Sequence, residues 1–421
     1  MQIKFKVEAS KLNTALGLVS IVPPQPMAQD GAAGYLFVPR AGSDICDVYS
    51  RGTNQVATAF FEISDLEGEG SFVYPSQFIE SFKSPLVKGP ITFTATSEEG
   101  AYRVRCATSV TDDDRVSFDP KLMNTGWKDL KEAKAQTPRV FSASLLAEAI
   151  KASEPFLPDG TDKNPEEHHK SIQVFGSDDP NLPKANGYIF SSDGTGAFYF
   201  YSDAFKDKGM AVPGGHLSGF KSFMSKSPGT LKVYAAPNQN MTFAENDQGY
   251  VFGWTRSAAQ YTKFSYYNSK MEHVILDLHR DATLARLQFV RACLSKNKNK
   301  IRFHYDAARA EIFFTIADEV SKTEGPKLEI HNVRQTDGKD FVSNVDVNAM
   351  TKLFTGAKGD TVEFRIMPIE AEGKKTQYMF RTIDEFLYDP VAGAVVGGSG
   401  IENVPEGIVA CKVTRFVPSR D

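Results

Sequence analysis

At 421 residues the chain is too long for one hydrophobic core, so two to four domains are expected. A hydrophobic share of 41% and a charged share of 24% are those of an ordinary globular chain, and no run approaches the roughly 18 apolar residues of a membrane span, which argues against a membrane partner. A net charge of −4 gives no bulk attraction to nucleic acid, and four widely spaced cysteines without a CxxC pair exclude a zinc ribbon or a disulfide framework and suit a reducing cytoplasm.

The opening MQIKFKVEAS alternates at once as a strand, with no apolar signal region, and runs into a helix over 10–20 capped by Ser10. SFVYP (71–75) then leads into a helix with Phe78, Ile79 and Phe82 at helical spacing, a stop at Gly89 and a strand alternating through Ile91, Phe93 and Ala95. KDLKEAKAQTP (128–138) reads as a polar linker. RVFSASLLAEAIKASEPF (139–156) repeats strand, cap (Ser144) and helix, and PDGTDKNPEEHHK (158–170) reads as a surface loop. GMAVP (209–213) leads into Leu217, Phe220, Phe223 and Met224, then Gly229, then Leu231, Val233 and Ala235. NSKME (268–272) is a second linker. VILDLHRDATLARLQFVRACLS (274–295) is again strand, cap (Asp281) and helix. DFVSNVD (340–346) precedes Met350, Leu353 and Phe354, Gly359, and a strand through Val362, Phe364 and Ile366. AGAVVGGSG (392–400) reads as a Gly-rich loop.

The order is periodic. Phe5, Phe141 and Leu276 hold the same place in successive copies, 136 and 135 residues apart. The chain is therefore read as three copies of an α+β unit, each with two helices and many strands.

Catalytic signatures are missing from the pattern. There is no phosphate-cradling GxxxxGK[ST], no GxSxG elbow and no HExxH. His168 and His169, preceded by Glu166 and Glu167, are the one metal-like cluster, and adjacent histidines in a polar loop are more often solvated than ligating. The reading is no metal, no cofactor and no catalytic residue. Charge is unevenly placed. The six expected helices carry +9 against −4 for the whole chain, leaving −13 elsewhere, and 279–300 alone carries +5. Basic helices in an acidic protein suit non-specific contact with DNA phosphates.

Three such units, each near 130 residues, resemble the bacterial DNA sliding clamp, the beta subunit of the replicative DNA polymerase. MQIKFKVEASKLNTALGLVS is similar to the clamp's opening strand and helix. YIFSSDGTGAFYFYS (188–202) resembles the second-domain strand with its Thr-Asp-Gly turn, and GMAVPGGHLSGFKSFMS resembles the Val-Pro strand and helix that follow. KFSYY (263–267) stands where the family has Phe-Pro-x-Tyr, and RFVPSRD resembles its closing Met-Pro-Met-Arg. The resemblance covers nearly the whole chain.

The resemblance implies three clamp domains, 1–130, 137–267 and 272–421, each of two βαβββ halves, with sheets outside and helices lining a central hole. Two chains would close head to tail into a six-unit ring round duplex DNA. The ring would hold the polymerase on its template as a processivity factor without catalysis of its own. Polymerase and clamp loader would dock through a short peptide. Family positions put that pocket at Ser192, Asp193, Gly194, Thr195, Gly196, Phe264, Phe416, Val417, Pro418, Ser419 and Arg420. On the helices, Lys11, Lys83, Lys151, Lys221, Lys226, Arg286, Arg291, Lys296, Lys298 and Lys352 would face DNA. Thr195-Gly196-Ala197 replaces the family's His-Arg-Leu, Ser265 its Pro, and Asp421 an apolar last residue, which together with extra loops suggests a phage-borne or otherwise divergent member acting in a bacterial cytoplasm. The rival readings are a β-rich scaffold built from repeats and an enzyme using Asp193 or the His168/His169 loop.

Overall fold

The computed structural model describes residues 2–26, 33–117, 119–157, 171–175, 187–193, 196–206, 209–235, 241–255, 274–294, 299–316, 326–369, 377–398 and 404–419. The chain is α+β, and one motif, strand, helix, then three strands, recurs six times along it. In the first half-unit, Gln2–Glu8 and α1 (Ala9–Val19) precede Gly34–Pro39, Ile45–Arg51 and Gln55–Glu62. In the second, Phe72–Pro75 and a 3-10 helix (Ser76–Lys83) precede Pro90–Glu98, Ala101–Ala107 and Asp112–Ser117. A helix not in the motif, α2 (Asn124–Lys134), follows. The third comprises Arg139–Ser142, α3 (Ala143–Ser153), Ser171–Phe175, Gly187–Ser192 and Ala197–Ser202. The fourth comprises Met210–Pro213, α4 (Gly214–Ser225), Thr230–Ala235, Met241–Asn246 and Val251–Thr255. The fifth comprises Val274–His279, α5 (Arg280–Cys293), Lys300–Asp306, Glu311–Ile316 and the short Lys327–Leu328. The sixth comprises Phe341–Asp346, α6 (Val347–Phe354), Thr361–Ile369, Gln377–Asp389 and Val409–Pro418.

Pairing follows one rule. Each strand that leads into a helix pairs antiparallel with the first strand after the helix of the neighbouring half. Phe5 faces Phe93, Phe141 faces Leu231 and Leu276 faces Phe364. The reciprocal pairs join Phe72–Pro75 to Gly34–Pro39, Met210–Pro213 to Ser171–Phe175, and Phe341–Asp346 to Lys300–Asp306. All three positions picked out by their spacing are buried; Phe5 and Leu276 stand four residues before their helices at one register, whereas Phe141 stands two before its helix, at the register of Val7 and Leu278.

The chain divides into two compact units. The first is Met1–Ala143 with Gly215–Arg256, and the second is Ser144–Gly214 with Ser257–Asp421. The first holds a five-stranded and an eight-stranded sheet. Alternation points Phe5 and Phe93 inward, where Phe93 meets the rings of Phe5, Phe37, Phe72, Tyr74 and Phe82 at 5.5–5.9 Å between centroids. Helix α1 buries Leu12, Ala15, Leu16 and Val19, and α4 seats Phe220 against Trp254 at 5.0 Å. The second unit holds a ten-stranded and a four-stranded sheet. There Phe303 is the aromatic hub, with Phe314, Phe341, Phe364 and Phe380 around it at 5.3–6.0 Å.

Four local expectations change. The segment read as a linker at 128–138 contains most of α2, whose Leu130 and Ala133 pack with Met123 on Tyr49, Val73 and Phe243. The spacing of those apolar residues is amphipathic, and the Lys and Glu between them mask it. Helices α1, α3 and α5 begin one residue before Ser10, Ser144 and Asp281, so these are not the caps: Glu8 precedes α1 and His279 precedes α5. Asp346 is a true cap, its side chain accepting from the amides of Asn348 and Ala349. In the sixth half-unit the left-handed residue after the helix is Gly356 (φ 74°) rather than Gly359; Gly89 and Gly229 are left-handed too (φ 78° and 90°), but they stand six and four residues past Lys83 and Ser225, at the entry to the next strand rather than at the helix end. Part of the Gly-rich loop, Ala394–Gly398, is a strand pairing with Gln377–Asp389. NSKME and PDGTDKNPEEHHK lie outside the described residues.

A carboxylate closes the turn after α4. Asp247 accepts hydrogen bonds from the Thr230 amide (2.8 Å) and hydroxyl (2.5 Å), and these hold its carboxyl below the ordinary 3.8. A depressed carboxyl stabilises the fold above its unfolded pKa, and that contribution is lost as pH falls through the folded value. Asp247→Asn should therefore lower the urea midpoint at pH 7 and leave it little changed at pH 2.5. An equal loss at both pH values would contradict this.

Candidate functional site

The turn after Gly187–Ser192 is built by its own side chains. Ser192 Oγ donates to the Gly196 carbonyl at 2.7 Å, and Asp193 Oδ1 accepts from the Gly196 amide at 2.7 Å. Asp193 Oδ2 accepts from Lys352 Nζ on α6 at 2.6 Å, so one carboxylate closes the turn and ties it to a helix. Gly196 is required by space, because a Cβ there would lie 2.8 Å from the Phe416 carbonyl and 3.3 Å from the Phe156 ring. Gly194 and Thr195 lie outside the described residues, as do Phe264 and Arg420.

The C-terminal strand runs beside this turn. Ala197 pairs with Phe416 and Phe198 with Arg415 on one side, while Phe416 pairs with Arg381 and Val417 with Phe380 on the other. Phe416 is 3% exposed, in a cluster with Tyr188, Phe190, Tyr199, Met367 and Met379. Val417 is 1% exposed. Ser419 continues the strand: its amide donates to the Tyr378 carbonyl and its Oγ accepts from the Tyr378 amide. The sequence presents the tail as apolar residues with no further chain to cover them. Phe416 and Val417 are instead covered by the chain itself, as central members of a sheet, and Pro418 is the half-buried residue of the group. Deleting 416–421 would therefore unzip a sheet, so a point substitution is the cleaner probe of this region.

Sequence reasoning missed Arg415. It lies between Val413 and Val417 on the inward face of the strand and is fully buried. Among the described residues none of its three side-chain nitrogens has a hydrogen-bond partner. The guanidinium stands 5.8 Å from the Phe198 ring centroid, and burial pulls its pKa down to about 10, so it stays charged at neutral pH. Asp384, whose charge acts against that fall, accepts hydrogen bonds from the Lys358 amide at 2.7 Å and the Gly359 amide at 3.4 Å. Period-two alternation in KVTRFVP does place Arg415 with the two valines, so the signal was present.

The basic residues assigned to a DNA face divide. Lys151, Lys221, Arg286 and Arg291 are exposed on their helices. Lys11 is exposed but ion-paired with Glu62, whose carboxyl it lowers. Lys226 donates to the Gly17 carbonyl at 3.0 Å. Lys352 is committed to Asp193, linking a residue expected on the DNA face to one expected in the pocket. Lys296 and Lys298 lie outside the described residues, as does the side chain of Lys83. Among the described residues no group of acids, histidines and cysteines could hold a metal ion, and no helix is long and apolar enough to cross a membrane. His168 and His169 lie outside that description.

No protein-family model matches the chain, and no curated protein matches it in sequence. Solved structures do. The DNA polymerase sliding clamp of Bacillus subtilis superposes with a TM-score of 0.69 over 100% of both chains at 11% identity. The fold is that of the bacterial DNA sliding clamps. The beta sliding clamp of C. crescentus gives 0.69 at 12% identity over 100% of this chain and 99% of that one. The DNA polymerase sliding clamp of Pseudomonas aeruginosa gives 0.68 at 10% over the same shares. With so little identity, the clamp fold here rests on shared topology, and its six half-units account for the periodicity of the sequence.

Proposed function

We propose that this protein is a DNA sliding clamp: a ring of two chains that encircles duplex DNA and tethers a replicative polymerase. The carrying observation is the likeness to clamp structures over the whole chain, together with the two of its six half-unit last strands that, among the described residues, stand at a sheet edge. Inside the chain, the last strand of the first half-unit, Gln55–Glu62, pairs with that of the fourth, Val251–Thr255. The last strand of the third, Ala197–Ser202, pairs with that of the sixth, Val409–Pro418. The last strands of the second and fifth, Asp112–Ser117 and Lys327–Leu328, end their sheets. An open edge invites pairing. If the scheme is uniform, the second half-unit of one chain joins the fifth of another, and two such junctions close a dimer by rotation. Val116, 74% exposed on the first of these edges, is apolar surface for that junction to cover.

The three domains 1–130, 137–267 and 272–421 are the natural repeat under this reading, with basic helices toward DNA and the turn at Ser192–Gly196 beside the C-terminal strand as the docking place for polymerase and loader peptides. Diffuse contacts to phosphates suit a ring that must slide without reading sequence. Light scattering should give twice the chain mass of 46.4 kDa. Val116→Pro, which removes an edge donor and apolar surface, should shift the protein to monomer at micromolar concentration with unchanged circular dichroism. A trimer, or a Val116→Pro dimer as tight as the wild type, would contradict the assembly.

A further inference from the structure

The four-stranded sheet of the second unit has two unlike faces. Its strands lie in the order Lys327–Leu328, Glu311–Ile316, Lys300–Asp306, Phe341–Asp346. Alternation sends Ile301, Phe303, Tyr305, Ile312 and Phe314 into the core. The residues between them stand on the other face. There Lys300, Arg302 and His304 follow one another along one strand, about 6.7 Å apart. His304 lies between Phe313 and Val342 on the neighbouring strands. Its ring stacks on that of Phe313, with centroids 4.5 Å apart and planes at 5°, and its Nε2 meets Thr315 Oγ1 at 2.9 Å. Both rings are half-buried, and Val342 is 53% exposed. Lys300 and Arg302 are exposed, and among the described residues neither has an ion-pair partner. The acids of this face are engaged. Glu311 accepts from Lys327 Nζ at 2.6 Å, Asp306 accepts from the Arg309 amide at 3.0 Å, and Asp346 caps α6. The face thus offers two free cations in line with a stacked ring pair.

We propose that this sheet face binds single-stranded DNA: Lys300 and Arg302 take successive phosphates, and a base extends the stack begun by Phe313 and His304. The inference rests on the sliding-clamp reading, under which the protein works where a template strand is exposed, and it adds a DNA site separate from the helices. Charge and ring chemistry together select the ligand. Cations without carboxylate partners favour a polyanion. Aromatic side chains on an open sheet accept bases of any sequence by stacking. A duplex keeps its bases inside, so it can use the cations but not the rings. An apolar peptide can use the rings but leaves both cations unanswered. A single strand uses all four side chains. Spacing agrees, because residues two apart on a strand repeat at about the interval of the phosphates in an extended polynucleotide.

The test uses the full-length protein and the anisotropy of a short fluorescein-labelled thymidylate oligomer. An abasic twin, with the same phosphates and no bases, should bind about tenfold more weakly. Phe313→Leu keeps an apolar side chain in the sheet and removes the ring. It should weaken the thymidylate oligomer by about tenfold and the abasic twin hardly at all. Arg302→Gln should lower the slope of log K against log salt by about 0.7, the value of one phosphate contact on a single strand. Replacing Arg286 and Arg291 of α5 by alanine should leave thymidylate binding unchanged. Circular dichroism checks each fold, and Arg302→Gln, at an exposed position, carries the test if Phe313→Leu does not fold. Absence of thymidylate binding, equal binding of the abasic twin, binding that survives both Phe313→Leu and Arg302→Gln, or binding lost with the α5 pair instead overturns the proposal. Tighter binding of a uridylate oligomer would assign the face to RNA and overturn it too. Retention of the wild-type protein on circular duplex reports separately on the clamp reading, so failure of that reading and failure of this site are told apart.

Discussion

Phe93→Ala is expected to cost about 3–5 kcal/mol, enough to melt much of its unit. The magnitude follows from position. Phe93 is fully buried and meets five aromatic rings from the strands of both half-units and from the 3-10 helix, so truncation leaves a cavity that no single neighbour can fill. Phe303, fully buried in the second unit, has four rings around it, and Phe303→Ala should cost a similar amount. Urea unfolding followed by near-ultraviolet circular dichroism reads both. A midpoint shift smaller than that of an exposed control such as Phe289→Ala would mean that these rings do not organise the cores.

Replacing Arg286, Arg291, Lys296 and Lys298 together by alanine should weaken DNA binding and reduce the slope of log K against log salt by about 3–4, near 0.9 for each phosphate no longer neutralised. The segment 279–300 carries over half of the positive excess of the six helices, and Arg286 and Arg291 are exposed on α5. Lys11 and Lys352 are poor choices for the same experiment because each is ion-paired, with Glu62 and Asp193, and Lys352→Ala would also release the Ser192–Gly196 turn. An unchanged salt slope in the quadruple variant would remove α5 and residues 296–298 from the DNA surface.

The repeat was legible in the sequence because it rests on period and order. Phe5, Phe141 and Leu276 are far apart in the chain, yet each meets its partner in an antiparallel strand pair of the same kind, and alternation alone marks them as core. What escaped was decided by tertiary contact. α2 reads as linker because its lysines and glutamates dominate the composition, while Leu130 and Ala133 acquire meaning only once a sheet lies beneath them. The caps are displaced because Ser10, Ser144 and Asp281 have good cap chemistry but fall inside the first turn. In the tail, the apolar character of Phe416 and Val417 is plain from sequence. Their burial between two strands depends on Ala197–Ser202 and Gln377–Asp389, over 200 and about 30 residues away, and no local signal encodes that. Arg415 was hidden for the opposite reason. A charged residue in a strand near a chain end is ordinarily solvated, and only the packing of Phe198 and α6 turns it into a buried charge.

The most direct measurement of the central claim is topological. Protein loaded onto a nicked circular duplex and passed through a sizing column in high salt should stay with the DNA, because a closed ring is held by linkage rather than by phosphate contacts. Cutting the same circle once with a restriction enzyme should release it, since the ring can then run off the ends. Retention on both forms, or loss from both in high salt while low salt holds them, would contradict a sliding clamp and leave a protein that binds DNA only by charge.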